Sequence, residues 1–384
     1  GIYRNVRLVK KHAVHLDWYG TVVTTPSLEE NKGKASDVRV TACVRNTDDG
    51  KQDAYTLALL VKDRLGRVVA ECSETKKIKA GEVCVYDLKT PEIKYPELWS
   101  PNSPSLYTLE SRLYAGKHLL DMEEIVFGFR WFKWTKDKGF FLNGQHYYFR
   151  GANVHQDQAG WGDAVTDAAA YRDVCQMKEA GFDMIRGSHY PHSPAFSDAC
   201  DREGMLLWSE APFWGTAGPK VDGVWTAGAY PVIAADTAAF EANVLQQLEE
   251  MIRIHRNHPS VFVWSLCNEP FFTDGRSLPG VRRLLKRMVD VAHRLDPTRQ
   301  VAVGGAQRPL GSERIDLIGD VAGYNGDGAN IADFQEPDVS SVVSEYGSVT
   351  SDRPGDMLRG WVTLRVMKAG KRKWRSGQAS LVRL

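Results

Sequence analysis

The run Val261-Phe262-Val263-Trp264-Ser265-Leu266-Cys267-Asn268-Glu269 decides how this chain is read. It is a short apolar, β-branched stretch that ends on a carboxylate. A carboxylate where a buried strand stops is badly placed for packing and well placed for chemistry. Val342-Val343-Ser344-Glu345 repeats the pattern downstream.

Outward from these two runs the chain alternates. Further apolar strand candidates are Tyr147 to Phe149, Met184-Ile185, Met205 to Trp208, Val301 to Val303 and Val321-Ala322. Helical spacing separates them. Ala170, Val174 and Met177 run toward a stop at Gly181, and Ser193-Pro194 caps a short helix that closes at Gly204. Phe240, Val244, Leu248, Met251 and His255 share one helical face; Val281, Leu284, Met288, Ala292 and Leu295 share another. Alternation repeated this often indicates a parallel sheet under helical cover. Seven strand candidates point to an α/β (β/α)8 TIM barrel over residues 128–384, with its active site at the strand C-terminal ends.

Residues 10–127 read differently. Asp37 to Val44 alternates with period two, and Tyr55 to Val61, Val68 to Cys72, Val83 to Leu88 and Leu106 to Tyr114 are further strand-like runs. Asp48-Asp49-Gly50, Leu65-Gly66 and Ala80-Gly81 punctuate them as turns. Strands at this spacing suggest a β-sandwich of immunoglobulin type. Cys43 lies on the polar side of its strand, opposite Val38, Val40, Ala42 and Val44, so an inter-sheet disulfide with Cys84 is not expected. The six cysteines show no paired metal spacing and fit free thiols.

Composition is that of an ordinary soluble globular protein: 43% apolar and 25% charged, over 384 residues with a formal charge of +1. The charge is uneven, because the segment from Arg353 to Leu384 carries Lys and Arg almost without acids. A solvated basic terminus accounts for that better than a nucleic-acid partner. No apolar run reaches the ~18 residues of a membrane span, and no secretory segment is visible. The compartment is not legible, and a homo-oligomer is compatible with the sequence.

The predicted strand ends converge on polar residues. The first delivers Gly151-Ala152-Asn153-Val154-His155, and the second Arg186-Gly187-Ser188-His189-Tyr190-Pro191. The third ends in Glu210, the fourth in Asn268-Glu269, the sixth in Tyr324-Asn325 and the seventh in Glu345. A lone His or Arg in such a set is more often structural, and two strand-end acids can be unrelated. Strand ends agreeing this often favours instead the two-carboxylate machinery of glycoside hydrolysis.

The segment from Met184 through Arg186, His189, Phe196, Cys200-Asp201 and Gly204 to Glu210 resembles the first signature of glycoside hydrolase family 2. Arg256-Asn257-His258-Pro259-Ser260 continuing to Asn268-Glu269 resembles its second, the acid/base signature. The resemblance covers about residues 10 to 350. It implies an immunoglobulin-like domain followed by a catalytic barrel. It also implies Glu269 as general acid/base and Glu345 as nucleophile of a retaining double displacement. By the same resemblance Asn268 contacts the sugar 2-hydroxyl, Arg186 and Tyr324 hold the nucleophile ionised and oriented, and His155 and His189 contact substrate hydroxyls. Packed histidines remain an alternative for the last two. Glu210 is open to two readings, a partner to Arg186 or a catalyst, and the first is the expectation. Asn153 joins the substrate-binding set, and Trp161, Trp208, Phe213 and Trp214 are candidate sugar platforms, with core packing the better fate for Trp208.

Three departures from the family accompany these matches. Residues 1–9 look like the last strand of an absent jelly-roll domain. The expected eighth strand has only Ser380-Leu381-Val382 to begin it, with no aromatic after it, so the barrel is expected to be open and its subsite incomplete. The Glu-x-His step through which some members bind a metal is replaced by Ala211-Pro212-Phe213-Trp214-Gly215, so no metal and no cofactor are expected. The substrate is expected to be an oligosaccharide or glycoside. No Asn-x-Lys step, common in β-glucuronidases of the family, follows strand seven. The segments from Tyr324 to Ala329 and from Ser344 to Ser348 resemble a branch associated with bacterial β-galactosidases. β-Mannosidase and β-glucuronidase activity stand as alternatives, as does a non-catalytic carbohydrate-binding protein or inactive fragment.

Overall fold

The computed structural model describes residues 3–48, 53–215, 220, 221, 224, 225, 228–305, 314–325 and 339–346. Ahead of the barrel lies an antiparallel β-sandwich. Val14–Thr24, Arg39–Asn46 and Val83–Lys89 form one sheet; His118–Phe127, Tyr107–Ala115, Asp53–Lys62 and Val68–Ile78 form the other, in that spatial order. Strict alternation in Asp53–Lys62 sends Leu57, Leu59 and Val61 inward. They meet Leu16, Val40 and Val44 of the facing sheet in one apolar core.

Two strands of the sandwich depart from the expected set, each for a physical reason. Val14–Thr24 is interrupted by a bulge between Leu16 and Thr21, with Tyr19 at φ 43°, which breaks its alternation. His118–Phe127 is an edge strand with little buried surface, so it carries a weak apolar pattern. The six cysteines are unpaired. Residues 3–12, expected to begin with a jelly-roll strand, form no regular element, and Val6, Leu8 and Val9 are exposed.

A small antiparallel unit follows, Phe132–Thr135, Gly139–Leu142 and Gln145–His146. The first barrel strand is therefore Gly151–Val154 and not Tyr147 to Phe149. Seven parallel strands then lie side by side in chain order: Gly151–Val154, Met184–Gly187, Leu206–Glu210, Val261–Asn268, Gln300–Gly304, Val321–Asn325 and Ser340–Glu345. Among the described residues they make a curled α/β half-barrel of seven strands, part of a TIM barrel that follows an immunoglobulin-like sandwich. The predicted eighth strand, Ser380 to Val382, falls outside the described residues.

Helices α1 (Asp167–Glu179), α2 (Pro194–Glu203), α3 (Ala234–His255) and α4 (Leu278–Leu295) cover the outer face. Thr166 caps α1 by accepting from Ala169 N, whereas Ser193, expected to cap α2, makes no side-chain cap bond. Pro194 at the start and left-handed Gly204 at the end bound α2 instead.

The strands are buried on both faces, which explains their near-continuous apolar runs. Outward, Ile185, Leu207, Trp264, Leu266, Val301 and Val303 pack against the helices. Inward, Met184, Leu206, Trp208, Phe262 and Val321 meet Trp134, Phe140 and Phe149, which plug the lower end of the barrel. Phe262 is the hub: Trp134 stacks on it at 5.9 Å, and Phe140 and Phe149 meet it edge-on at 5.5 and 5.6 Å.

Candidate active site

Along the inner face the pleat advances two residues at a time, and polarity changes as it reaches the strand ends. Met184 is followed by Arg186, Leu206 and Trp208 by Glu210, and Val321 and Gly323 by Asn325. The polar ends meet above the aromatic plug.

Arg186 is the centre of this layer and is fully buried. Its Nε and Nη2 donate to Glu210 Oε2 and Oε1 at 3.0 and 3.1 Å, a bidentate pair. Nη1 donates to Glu345 Oε2 at 2.9 Å, and Nη2 also reaches Asn268 Oδ1 at 2.8 Å. Glu210 accepts from Trp208 Nε1 at 3.1 Å and Ser265 Oγ at 2.8 Å, and His189 Nδ1 lies 2.8 Å from its Oε1. Burial alone would raise the Glu210 carboxyl; Arg186, His189 and Ser265 outweigh it and hold the group below its ordinary value. For Arg186, likewise, burial opposes the charge and the two carboxylates more than restore it, so its value is raised. One guanidinium thus serves two carboxylates, one fully buried and one with a third of its side chain open to the pocket.

Asn325 joins the two outer acids. Its Nδ2 lies 3.2 Å from both Glu269 Oε1 and Glu345 Oε2, and 3.1 Å from Asn268 Oδ1, while its own Oδ1 accepts from Ser344 Oγ at 2.7 Å. The oxygens of Glu269 and Glu345 are therefore no further apart than twice 3.2 Å. That limit, on one oxygen of each acid, admits the about 5–5.5 Å carboxyl separation of a retaining pair. Asn268 Oδ1 is taken up by Arg186 and Asn325, so its amide NH2 is the end presented to a ligand.

Burial raises the Glu269 carboxyl above its ordinary value; Asn325 pulls it down, and the nearby Glu345 charge adds to the rise. Glu269 is held at φ 48°, a left-handed conformation uncommon outside glycine. Space for it comes from Gly305, just after the fifth strand, while Gly304 leaves room for Glu210. A Cβ on Gly305, itself at φ 63°, would fall 2.5 Å from Glu269 Cγ, and one on Gly304 would fall 2.8 Å from Glu210 Oε2.

An aromatic wall borders the acids. His155 packs edge-on against His189 at 5.2 Å and places Nδ1 3.1 Å from the Tyr190 hydroxyl. Trp214 lies 5.9 Å from His189 on the other side and is 44% exposed, open to a ligand. A parallel bridge between Trp214 and Asn268 ties this wall to the fourth strand. Burial, with His189 adding, lowers the His155 value, which favours the neutral ring.

The remaining candidates are placed elsewhere. Asn153, in the amide orientation that satisfies both neighbours, accepts from Arg186 Nη1 and donates to Ser344 O, each at 3.1 Å, so it braces the guanidinium. Tyr324 is a correction: it lies on the outer face of its strand with Ala322 and Val339, and its hydroxyl donates to Asp316 Oδ2 at 3.1 Å. Period-two alternation gives the pocket to Asn325, which the sequence placed at the strand end without a role of its own. Its signal is the alternation in Val321-Ala322-Gly323-Tyr324-Asn325, which puts the asparagine and the tyrosine on opposite faces. Phe213 is buried among the helices beside Phe240, and Trp208 is buried inside the barrel, so neither offers a sugar platform. Trp161 is exposed on a tight turn closed by Gln158.

Asp198, Asp201 and His258 are near enough to share a metal, but Asp201 is already engaged: Oδ2 lies 2.6 Å from His258 Nδ1 and Oδ1 accepts from Ser260 N at 3.0 Å. The group anchors α2 to the start of the fourth strand. Among the described residues no helix is long and apolar enough to cross a membrane.

Known proteins resemble this chain over both of its domains. The profile described as "Glycosyl hydrolases family 2" matches residues 14–130, and "Glycosyl hydrolases family 2, TIM barrel domain" matches residues 134–325. The beta-galactosidase BoGH2A of Bacteroides ovatus is 30% identical over an alignment covering 94% of this chain and 45% of that protein. A putative beta-glucuronidase of Formosa agariphila is 30% identical over 79% of this chain and 34% of its own length. The crystal structure of Bacteroides uniformis beta-glucuronidase superposes with a TM-score of 0.75 at 28% identity, covering 88% of this chain and 42% of that one. The chain spans less than half the length of each of these relatives.

Proposed function

The chain belongs to glycoside hydrolase family 2, a family of glycosidases, and from that premise we propose that it cleaves terminal β-linked sugars with retention of configuration. The observation that carries this reading is the sharing of one amide, Asn325, by two carboxylates, only one of which is bound by the Arg186 guanidinium. Glu345 attacks the anomeric carbon, and Glu269 gives its proton to the leaving oxygen as that carbon–oxygen bond breaks. The sugar is then an ester of Glu345. Glu269, now a carboxylate, takes a proton from water, and the resulting hydroxide displaces Glu345 to return the free sugar and both acids.

Burial supports Glu269 as the acid, because it keeps the proton on at a pH where an exposed carboxyl would lose it. The Asn268 amide NH2 is positioned to donate to the sugar 2-hydroxyl. His155, His189 and Trp214 supply the polar and aromatic wall for the remaining ring face.

For the sugar we propose a β-D-galactoside. The segment around Tyr324-Asn325 and that around Glu345 support this, and a relative of that name aligns along nearly the whole chain. The second reading is a β-glucuronide, favoured by relatives named for that activity. A uronate needs a cation of its own, and among the described residues Arg186 is already committed to Glu210 and Glu345.

Release of nitrophenol from aryl β-galactoside, β-glucuronide and β-mannoside, with Glu345→Gln beside the parent, tests both levels. Cleavage of the galactoside alone, lost in the variant, is the expected result. Preference for the glucuronide overturns the sugar, and silence on every substrate from folded protein supports a non-catalytic carbohydrate-binding protein instead.

A further inference from the structure

A second cleft, of about 870 Å³, lies between the sandwich and the lower rim of the barrel and shares no lining residue with the carboxylate site. Ten buried side-chain polar atoms among the described residues lack a hydrogen-bond partner. Three of them belong to residues lining this one cleft: Trp134 Nε1, Arg256 Nε and Gln300 Oε1. Buried polar atoms are nearly always satisfied, so such a concentration indicates a missing partner.

The charges agree. Arg256 is buried and gives one Nη2 bond, to Tyr19 O at 2.8 Å; Arg130 gives Nε to Pro259 O at 3.2 Å and lies over the Phe132 ring at 4.5 Å. Among the described residues neither guanidinium has a carboxylate within ion-pair distance, whereas Arg299 in the same cleft is paired with Asp296. Burial, with Arg299 close by, pushes Arg130 well below its ordinary value, and burial lowers Arg256 as well. A guanidinium does not shed its proton in a protein; carbonyl contacts, the Phe132 ring and the charge of Asp296 offset part of the burial of these two, and an added anion would offset more. Trp134 Nε1 requires an acceptor and Gln300 Oε1 a donor, and a hydroxyl group serves either. The Trp131 and Phe132 rings complete an apolar wall.

We propose that this cleft binds a small hydroxylated anion, a sugar phosphate or sugar acid, with its charge on Arg130 and Arg256 and its hydroxyls on Trp134 and Gln300. The site is separate from the hydrolytic one and joins the two domains, so its occupancy also ties the sandwich to the barrel.

The test is calorimetric titration and thermal melting of the full 384-residue chain. The solutes are glucose 6-phosphate, gluconate, glucose, inorganic phosphate and sodium chloride at matched ionic strength. Arg256→Gln and Arg130→Gln are measured beside the parent. We expect glucose 6-phosphate or gluconate to bind saturably and at least about ten-fold more tightly than glucose. Each variant weakens that binding by at least about ten-fold and leaves aryl glycoside turnover in place. The tighter of the two anions names the source of the charge. Inorganic phosphate binding as tightly as either overturns the role given to the hydroxyls. Equal effects of all solutes, or binding unchanged in the variants, overturn the site and leave a cleft filled by water. If Arg256→Gln fails to fold because Tyr19 loses its contact, Arg130→Gln decides alone.

Discussion

Two residues along the inner face of a barrel strand, the chemistry inverts. Met184 gives way to Arg186, Trp208 to Glu210, and Val321, past Gly323, to Asn325. The lower half of the interior is rings packed on rings around Phe262; the upper half is a guanidinium, carboxylates and amides bonded to one another. Both are largely buried, but they respond to damage differently. Loss of a ring leaves a void whose cost depends on how far its neighbours relax. Loss of the cation at the centre of the polar layer leaves Glu210 charged and unpartnered in low dielectric, which costs more than the lost bonds.

The sharpest contrast is between Glu345→Gln and Phe262→Ala. The first is expected to lower kcat by more than about 10⁴-fold while the melting curve barely moves, because Arg186 keeps Glu210. The second is expected to lower stability by about 3–5 kcal/mol, read by denaturant unfolding. Similar stability losses from both would erase the division between the two halves.

Arg186→Met should damage both properties. It leaves Glu210 buried without its cation, at a cost of about 3–5 kcal/mol. Adding Glu210→Gln to that variant should recover much of the stability and none of the turnover. Failure of the double variant to recover would show that the layer depends on more than charge balance.

Glu269→Gln tests the pH sign. The folded carboxyl titrates above its unfolded value, ordinarily near 4.5. The protonated form is therefore favoured in the fold, and the parent's stability from this group is fully present below the unfolded value and lost as pH rises through the folded one. The variant, fixed in the neutral form, should melt above the parent at neutral pH, with the gap closing in acid. A gap that widens in acid reverses the assignment.

The smallest expected effects separate two neighbours on one strand. Tyr324→Phe should cost about 1 kcal/mol, the hydroxyl's bond to Asp316, and leave turnover within about two-fold. Asn325→Ala should lower kcat by about ten-fold or more, since its amide touches both acids. Equal effects on turnover would return Tyr324 to the pocket.

Much of this architecture is legible in the amino-acid sequence. The apolar runs ending at Glu210, Glu269 and Glu345, and the helical faces ending at Gly181 and Gly204, carry local periodicity, and periodicity reports burial directly. Where expectation and structure part, a local pattern stands for something non-local. Tyr147 to Phe149 has the apolar character of a barrel strand, but it belongs to the link into the barrel. Val14–Thr24 hides its strand because a bulge breaks the alternation. Tyr324 matches a pocket position in the family motif, and a motif says which residue is present and not which face it takes.

The sequence alone determined the element types, the order of strands and helices, and the residues standing at each strand end. These follow from side-chain periodicity and backbone preference within a few residues of chain. Only the tertiary structure decided that Asn325 bridges two acids, that Arg186 divides itself between Glu210 and Glu345, and that Gly305 must be small to admit Glu269. These relations join residues from different strands, and their distances are set by how the sheet curls and where its register shifts. No local pattern encodes that curvature.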